Sequence, residues 1–204
     1  ALAKWLALAV LVGVVCGGVG TAFHVGIDQA TALRARFPWL LACLPLAGLV
    51  IVGFYKLTRT EGQGTNDILD EVHAGTGLSL WLLPAIFLGT VLTHLCGGSA
   101  GREGAALQLG ASISSKIGHK LGLEAEEGRI VTVCGMAAAF SALFGTPLTA
   151  AFFALEVVHV GVMHYAALTA ALVASLTGFL LAGWLGVPPT AYAVSGLPAL
   201  SPLS

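Results

Sequence analysis

The stretch Gly101-Arg102-Glu103-Gly104-Ala105-Ala106-Leu107-Gln108-Leu109 decides how this chain folds and what it can bind. Its carboxylate lies between two long uncharged stretches. No Asp, Glu, Lys or Arg occurs from Val72 to Gly101, and after Gly104 the next formal charge is Lys116. An ionisable group at membrane depth is costly to keep, so it marks a functional site. The glycines beside Glu103 allow a sharp turn and a close approach of the backbone to a ligand.

The residues after Gly104 predict the start of a helix, and helix N-termini attract anions through their free N–H groups. An ionised Glu103 would occupy that place and compete with a free anion. A protonated or displaced Glu103 would open it. We therefore predict that Glu103 is the gate of an anion site and its proton acceptor. The alternative left open is that Glu103 only caps the helix or pairs with Arg102.

The composition of the chain predicts an integral membrane protein. Of 204 residues, 57% are apolar and 9% are charged, and the mean hydropathy is +0.92. Soluble domains carry about 25% charged residues. Five apolar stretches are long enough to cross a bilayer: Trp5 to Ile27, Pro38 to Tyr55, Leu78 to Cys96, Ile130 to Leu155, and Tyr165 to Val187. The fold class predicted is all-α, polytopic and transmembrane, with residues 1–204 as a single membrane domain.

Charge and cysteine content exclude other classes of function. The net charge of −1 does not indicate the excess of basic residues that is typical of nucleic-acid-binding domains. The four cysteines are widely spaced within mostly apolar segments, and neither they nor the histidines have metal-ligand spacing. We predict neither a metal nor a cofactor. The chain has no initiator Met and looks like a piece of a longer protein.

Glycine and proline break the apolar segments at three places: Gly62 to Gly64, Gly97 to Gly104, and Gly145 to Pro147. Non-helical backbone survives at membrane depth only inside protein or beside a water-filled cavity. In transporters, half-helices whose N-termini point inward build anion sites. Two such ends are predicted here, after Gly64 and after Gly104, and the first would open a re-entrant segment.

Smaller features complete the predicted helix pattern. Pro84 is expected to interrupt the third apolar helix. A polar loop containing Glu124, Glu126, Glu127 and Arg129 is expected before a helix that begins at Ile130.

At these motifs the chain resembles the CLC family of chloride channels and anion/proton antiporters. Gly101-Arg102-Glu103-Gly104 resembles the family's GREGP motif, whose glutamate is the external gate. Gly62 to Asn66 resembles its GSGIP loop. Gly135 to Phe140, Thr146 to Leu148, and Phe152 to Glu156 resemble the helix pair that ends in the intracellular glutamate region. The three motifs occur in the family's order.

The resemblance implies a CLC-like arrangement of broken and re-entrant helices that forms one inverted repeat, the first half of a subunit. It implies transport of chloride or fluoride, as a channel or as an anion/proton antiporter, by a homodimer in the bilayer of a bacterial inner membrane. The implied function is not enzymatic. The implied anion-binding residues are Gln63, Gly64, Thr65, Asn66, Gly101, Arg102, Gly104 and Ala105.

The chain departs from the family pattern at several positions. Ala105 replaces the proline of GREGP, Gln63 replaces the serine of GSGIP, and Thr65-Asn66 replaces its Ile-Pro. These changes are similar to those of the fluoride-exporting bacterial branch, in which both motifs diverge. A small, strongly hydrated fluoride ion needs strong hydrogen-bond donors, which Gln63, Thr65 or Asn66 could provide. Val157 follows Glu156 where antiporters have a second glutamate, which leaves channel and exchanger both open.

Two other classes of function remain as alternatives. Gly97-Gly98-Ser99-Ala100-Gly101 matches the G-x-S-x-G pattern of serine hydrolases, but an apolar helix precedes the serine where a nucleophile elbow needs a strand. The enzyme alternative is therefore an intramembrane serine protease that uses Ser99 with His159 or His164. That interpretation leaves Glu103 and the Gly62 to Asn66 loop unexplained. A membrane scaffold without transport is the third class.

Overall fold

The structure, a computed structural model, describes residues 2–64, 66, 79, 81–158 and 165–190. Within these residues the secondary structure is helical, as predicted. The helices are α1 (Leu2–Arg36), a short 3₁₀ helix (Pro38–Cys43), α2 (Leu44–Thr58), α3 (Leu82–Leu95), α4 (Glu103–Lys120), α5 (Ala125–Phe144), α6 (Pro147–Val158) and α7 (Tyr165–Trp184).

Among the described residues, four segments are long and apolar enough to cross a membrane: Ala3–Arg36, Pro38–Thr58, Ala125–Phe144 and Tyr165–Trp184. The helix α1 has 35 residues, about 52 Å at 1.5 Å per residue, so it exceeds the roughly 30 Å apolar core of a bilayer. Pro38 restarts the chain as a 3₁₀ helix. Arg59, in the left-handed conformation (φ 54°), ends α2.

The helix α5 forms the centre of the bundle, because 72% of its most apolar stretch is buried, against 6% for the segment that contains α2. It packs against α4, α1, α6 and α7. Glycines permit these close contacts: a Cβ atom at Gly20 would lie 2.6 Å from the carbonyl oxygen of Ala139, and one at Gly178 would lie 2.6 Å from that of Ala138. Small residues at helix contacts are typical of membrane bundles.

Two side-chain contacts define the ends of the bundle. Lys4 forms an ion pair with Glu127, which joins the beginnings of α1 and α5. At the other end, Arg34 and Leu41 surround Gly97, just after α3. Since α4 begins after Gly97 and turns into α5 near Lys120, Glu103 lies towards the Arg34 end.

The predicted breaks and helix limits hold with three corrections. Gly145 (φ 70°) separates α5 from α6, as predicted. The third apolar helix is shorter than predicted: α3 has 14 residues, about 21 Å. Pro84 does not interrupt α3, because it lies in the first turn, where proline removes no helical hydrogen bond. Glu126, Glu127 and Arg129 belong to α5 and not to a loop.

Candidate functional site

Glu103 is the first residue of α4, and the residue is exposed. Arg102 precedes it as the N-cap residue and makes no side-chain cap hydrogen bond. The first backbone bond of the helix runs from the Ala106 N–H to the Arg102 carbonyl at 2.9 Å. The N–H groups of Glu103, Gly104 and Ala105 therefore lack acceptors within the helix, and the positive end of its dipole lies beside the carboxylate.

The Glu103 carboxylate folds back over Gly101. Its Oε2 lies 3.5 Å from the position that a Cβ atom on Gly101 would take. A methyl group at position 101 would therefore be in van der Waals contact with the carboxylate. The glycine therefore leaves room for the gate that the sequence predicts.

The turn before Glu103 is held by backbone bonds from the end of α3. The Gly97 N–H donates to the His94 carbonyl at 3.1 Å, and the Gly98 N–H donates to the Thr93 carbonyl at 2.8 Å. Gly97 has φ 79°, a left-handed conformation that glycine adopts without strain. This helix end directs the chain into the Ser99 to Arg102 turn.

The helix α4 is fixed on α5 along its buried face. Ser114 Oγ donates to the Gly110 carbonyl at 2.6 Å and lies 3.3 Å from the Thr132 carbonyl of α5. A Cβ atom at Gly110 would overlap the Gly135 carbonyl. The backbones of the two helices thus touch, and the start of α4 has a rigid support.

The second predicted stretch begins at the end of α2. Gly62 has φ 75°, and the Gln63 N–H donates to the Thr60 carbonyl at 3.2 Å. Gln63 and Gly64 are half-buried. The Gln63 Oε1 atom is buried without a hydrogen-bond partner among the described residues. Rotation of this amide would place an N–H₂ donor at the same position.

The other predicted anion-binding residues vary in exposure. Gly101 is exposed, Arg102 and Gly104 are half-buried, and Ala105 is buried. Asn66 is helical and exposed, whereas Thr65 lies outside the described residues, as does most of the predicted re-entrant segment. Convergence of Gly62 to Asn66 with Gly101 to Ala105 on one ion stays a prediction.

The alternative roles for Glu103 and Ser99 find no support in these contacts. Within the described part of the chain, no ion pair joins Arg102 to Glu103. Ser99 is exposed and follows a helix, whereas a nucleophile elbow needs a preceding strand. His159 and His164 lie outside the described residues. Within the part of the chain that the structure describes, no cluster of three or more His, Cys, Asp or Glu could hold a metal ion.

Sequence reasoning missed one polar cluster in α1. His24 is 3% exposed, and its ring contacts both Asp28 and the Leu143 carbonyl. The available signal was the spacing of His24 and Asp28, four residues apart and on one face of an apolar helix.

Comparison with known proteins decides the family. The family described as voltage gated chloride channel matches residues 47–204. The chain belongs to this family. A chloride/fluoride channel protein of Pseudomonas syringae pv. tomato is 36% identical over 195 residues, which cover 95% of this chain and 43% of that protein. An H⁺/Cl⁻ exchange transporter ClcA of Cronobacter sakazakii is 33% identical over 169 residues, 74% of this chain and 36% of the relative.

A solved CLC-type fluoride/proton antiporter shares the fold, with a TM-score of 0.88 and 34% identity over 98% of this chain and 51% of that one. A slow cyanobacterial Cl⁻/H⁺ antiporter, at 24% identity and a TM-score of 0.69, agrees in fold. The resemblance inferred from the motifs is confirmed. The chain spans about half the length, or less, of these relatives. They are transport proteins, and nothing in the comparisons supports a protease.

Proposed function

We propose that the protein to which this chain belongs carries a small inorganic anion, fluoride or chloride, across a membrane, with Glu103 as gate and proton acceptor. The observation that carries the proposal is the position of Glu103 at the beginning of α4. There, three consecutive N–H groups have no acceptor within the helix.

The gating step follows from competition for these donors. Peptide N–H groups stabilise an anion by partial charges and replace part of its water, without the tight hold of a fixed cation. The ionised Glu103 carboxylate competes for that position. Protonation removes its negative charge, so the anion can take its place. When Glu103 later releases that proton, the ionised carboxylate returns and displaces the anion, and in an exchanger the proton and the anion leave to opposite sides of the membrane. In this scheme a proton moves with each exchange.

We assign the anion-binding wall to two stretches, Gly62 to Asn66 and Gly101 to Ala105. Gln63 supports the choice of fluoride as the preferred ion. Its half-buried amide has an unpartnered atom, and an N–H₂ group turned to that position would compensate the loss of water from a small, strongly hydrated anion. The printed names of the relatives, a chloride/fluoride channel and a fluoride/proton antiporter, agree with this class of substrate.

We further propose that the chain is the first inverted repeat of the subunit, and that the other half of the pathway comes from a second repeat. The described residues leave Glu103 exposed, which fits a carboxylate that another wall covers in the full subunit. The full subunit would form a homodimer in a bacterial inner membrane. It would act as a transporter and not as an enzyme.

Flux from liposomes tests this function in the full-length protein. Liposomes loaded with fluoride or chloride are diluted into anion-free buffer, and anion release and external pH are recorded together. We expect fluoride release in excess of chloride, with proton movement in the opposite direction. Release of neither ion contradicts the proposed function, and release without any proton movement contradicts exchange.

A further inference from the structure

An apolar groove lies between α2 and α3 on the outside of the bundle. Its volume is about 240 Å³. Each described residue that lines it is apolar. The lining includes Val50, Ile51 and Phe54 of α2 and Leu88, Gly89 and Leu92 of α3. Neither Gln63 nor Glu103 is among the described residues that line the groove, so it is separate from the proposed anion site.

The floor of the groove is a close contact of α2 with a glycine of α3. A Cβ atom at Gly89 would lie 3.6 Å from Ile51 Cγ2 and 3.6 Å from Tyr55 Cε2. The rim is formed by larger side chains that the described residues leave about half exposed: Val50 is 52% exposed and Leu88 is 44% exposed. The groove is therefore open to whatever surrounds α2 and α3 in the membrane.

The outer face of α2 is suited to contact with hydrocarbon. Only 6% of the most apolar stretch of its segment is buried, and its exposed side chains include Leu46, Leu49 and Leu57. Where the helices of this bundle pack on one another, as at Gly20 and Gly178, they do so through small residues. A lipid acyl chain is flexible and needs no hydrogen-bond partner, so it can fill a groove with an apolar lining.

The helices α2 and α3 are antiparallel, so the end of α2 lies beside the start of α3. A Cβ atom at Gly98, after α3, would lie 3.1 Å from Leu44 at the start of α2. Gly89, in the middle of α3, lies instead against Tyr55, near the end of α2. The residues that follow Tyr55 and those that precede α3 therefore share one end of the groove.

This end of the groove carries two basic side chains and an exposed indole. Lys56 and Arg59 are exposed. Arg59 lies five residues after Phe54, about 7–8 Å further along the helix at 1.5 Å per residue. Trp81, which directly precedes α3, is 63% exposed. Exposed tryptophans are enriched at the level of the lipid headgroups, and the long stems of Lys and Arg let their charges reach that level.

We propose that this groove is a binding site for an anionic phospholipid. One acyl chain lies between α2 and α3, and the phosphate-containing headgroup contacts Lys56 and Arg59. Basic side chains at the membrane surface attract anionic headgroups. A neutral phospholipid fits the same groove but gains less from these two cations. The groove thus positions the lipid, and the basic pair selects it by charge.

Native mass spectrometry of the full-length protein in detergent tests the site. The protein is titrated with phosphatidylglycerol or with phosphatidylcholine of the same acyl chains, and the dissociation constant of the first bound lipid is measured. We expect phosphatidylglycerol to bind the wild type about tenfold or more tightly than phosphatidylcholine. Equal dissociation constants for the two lipids overturn the proposal.

A pair of matched variants tests the groove. Val50→Trp fills it with an indole ring and should weaken the binding of both lipids several-fold. Val52→Trp is the control, because Val52 is on the same helix, is also 52% exposed and does not line the groove. If Val50→Trp binds phosphatidylglycerol as the wild type does, for instance because another part of the full-length protein occupies the groove, the proposal is wrong.

A second pair of variants tests the headgroup contact and covers the case in which Val50→Trp does not fold. The double variant Lys56→Gln and Arg59→Gln changes only exposed side chains and should lose the preference for phosphatidylglycerol. Lys116→Gln with Lys120→Gln removes the same charge from α4 and should keep it. Preference retained in the first double variant overturns the proposal. Glu103→Gln should bind lipid as the wild type does, so this test is independent of the transport function.

Discussion

Gly110 on α4 packs directly against Gly135 on α5, backbone against backbone. A Cβ atom at Gly110 would overlap the Gly135 carbonyl, and a Cβ atom at Gly135 would lie 2.5 Å from the Gly110 carbonyl oxygen. This contact holds α4, and therefore Glu103 at its beginning, at a fixed distance from the central helix. The position of the proposed gate therefore depends on two residues that have no side chain.

Gly135→Ala should destabilise the full-length protein by about 1–3 kcal/mol, because the methyl group must displace backbone atoms of α4. Gly128→Ala is the control on the same helix, since a Cβ atom there has no neighbour within 4 Å. That variant should retain or slightly gain stability. Thermal unfolding in detergent compares the two variants. Equal midpoints for both would show that the helices are not in backbone contact.

Gly101→Ala should preserve the fold and slow transport. Residues other than glycine can adopt the backbone conformation of Gly101, because its φ is not positive. The new methyl would lie at contact distance from Glu103 Oε2 and would restrict its movement. We expect unfolding free energy within about 0.5 kcal/mol of the wild type and a several-fold lower anion flux. Wild-type flux in this variant would mean that the carboxylate does not move past position 101.

Gln63→Ser should shift the ion preference from fluoride towards chloride. A shorter hydroxyl side chain removes the amide donor that we assign to a desolvated fluoride ion. The ratio of fluoride to chloride flux from liposomes measures this change. Glu61→Gln, two residues away and exposed, is the control and should keep the wild-type ratio. An unchanged ratio of fluoride to chloride flux in Gln63→Ser would show that Gln63 does not determine which anion is preferred.

Much of the fold was predictable because uncharged length and helix breakers are local signals. The apolar run after Lys4 predicted α1, and Gly145 with Pro147 predicted the break between α5 and α6. The break expected at Pro84 is absent because proline has opposite effects at the first turn and in the interior of a helix. The loop expected around Glu127 is helical, because acidic residues in the first turn of a helix interact favourably with its dipole, so α5 begins among them.

The site was only partly predictable. The position of Glu103 at the start of a helix followed from its glycine neighbours. The packing of that helix on α5 could not be predicted, because the contact between Gly110 and Gly135 depends on how α4 and α5 cross. The contact between His24 and the Leu143 carbonyl was also hidden, since a backbone carbonyl has no sequence signature. His24 could be found only through the aspartate one turn later.

The most direct test of the central claim is proton-coupled flux in Glu103→Gln, measured in liposomes that contain the full-length protein. Glutamine keeps the size of the side chain but can neither carry the negative charge nor bind and release the proton. We predict that anion flux in this variant no longer depends on pH and moves no protons, while the wild type shows both properties. Wild-type pH dependence and proton movement in Glu103→Gln would contradict the account of Glu103 as the gate.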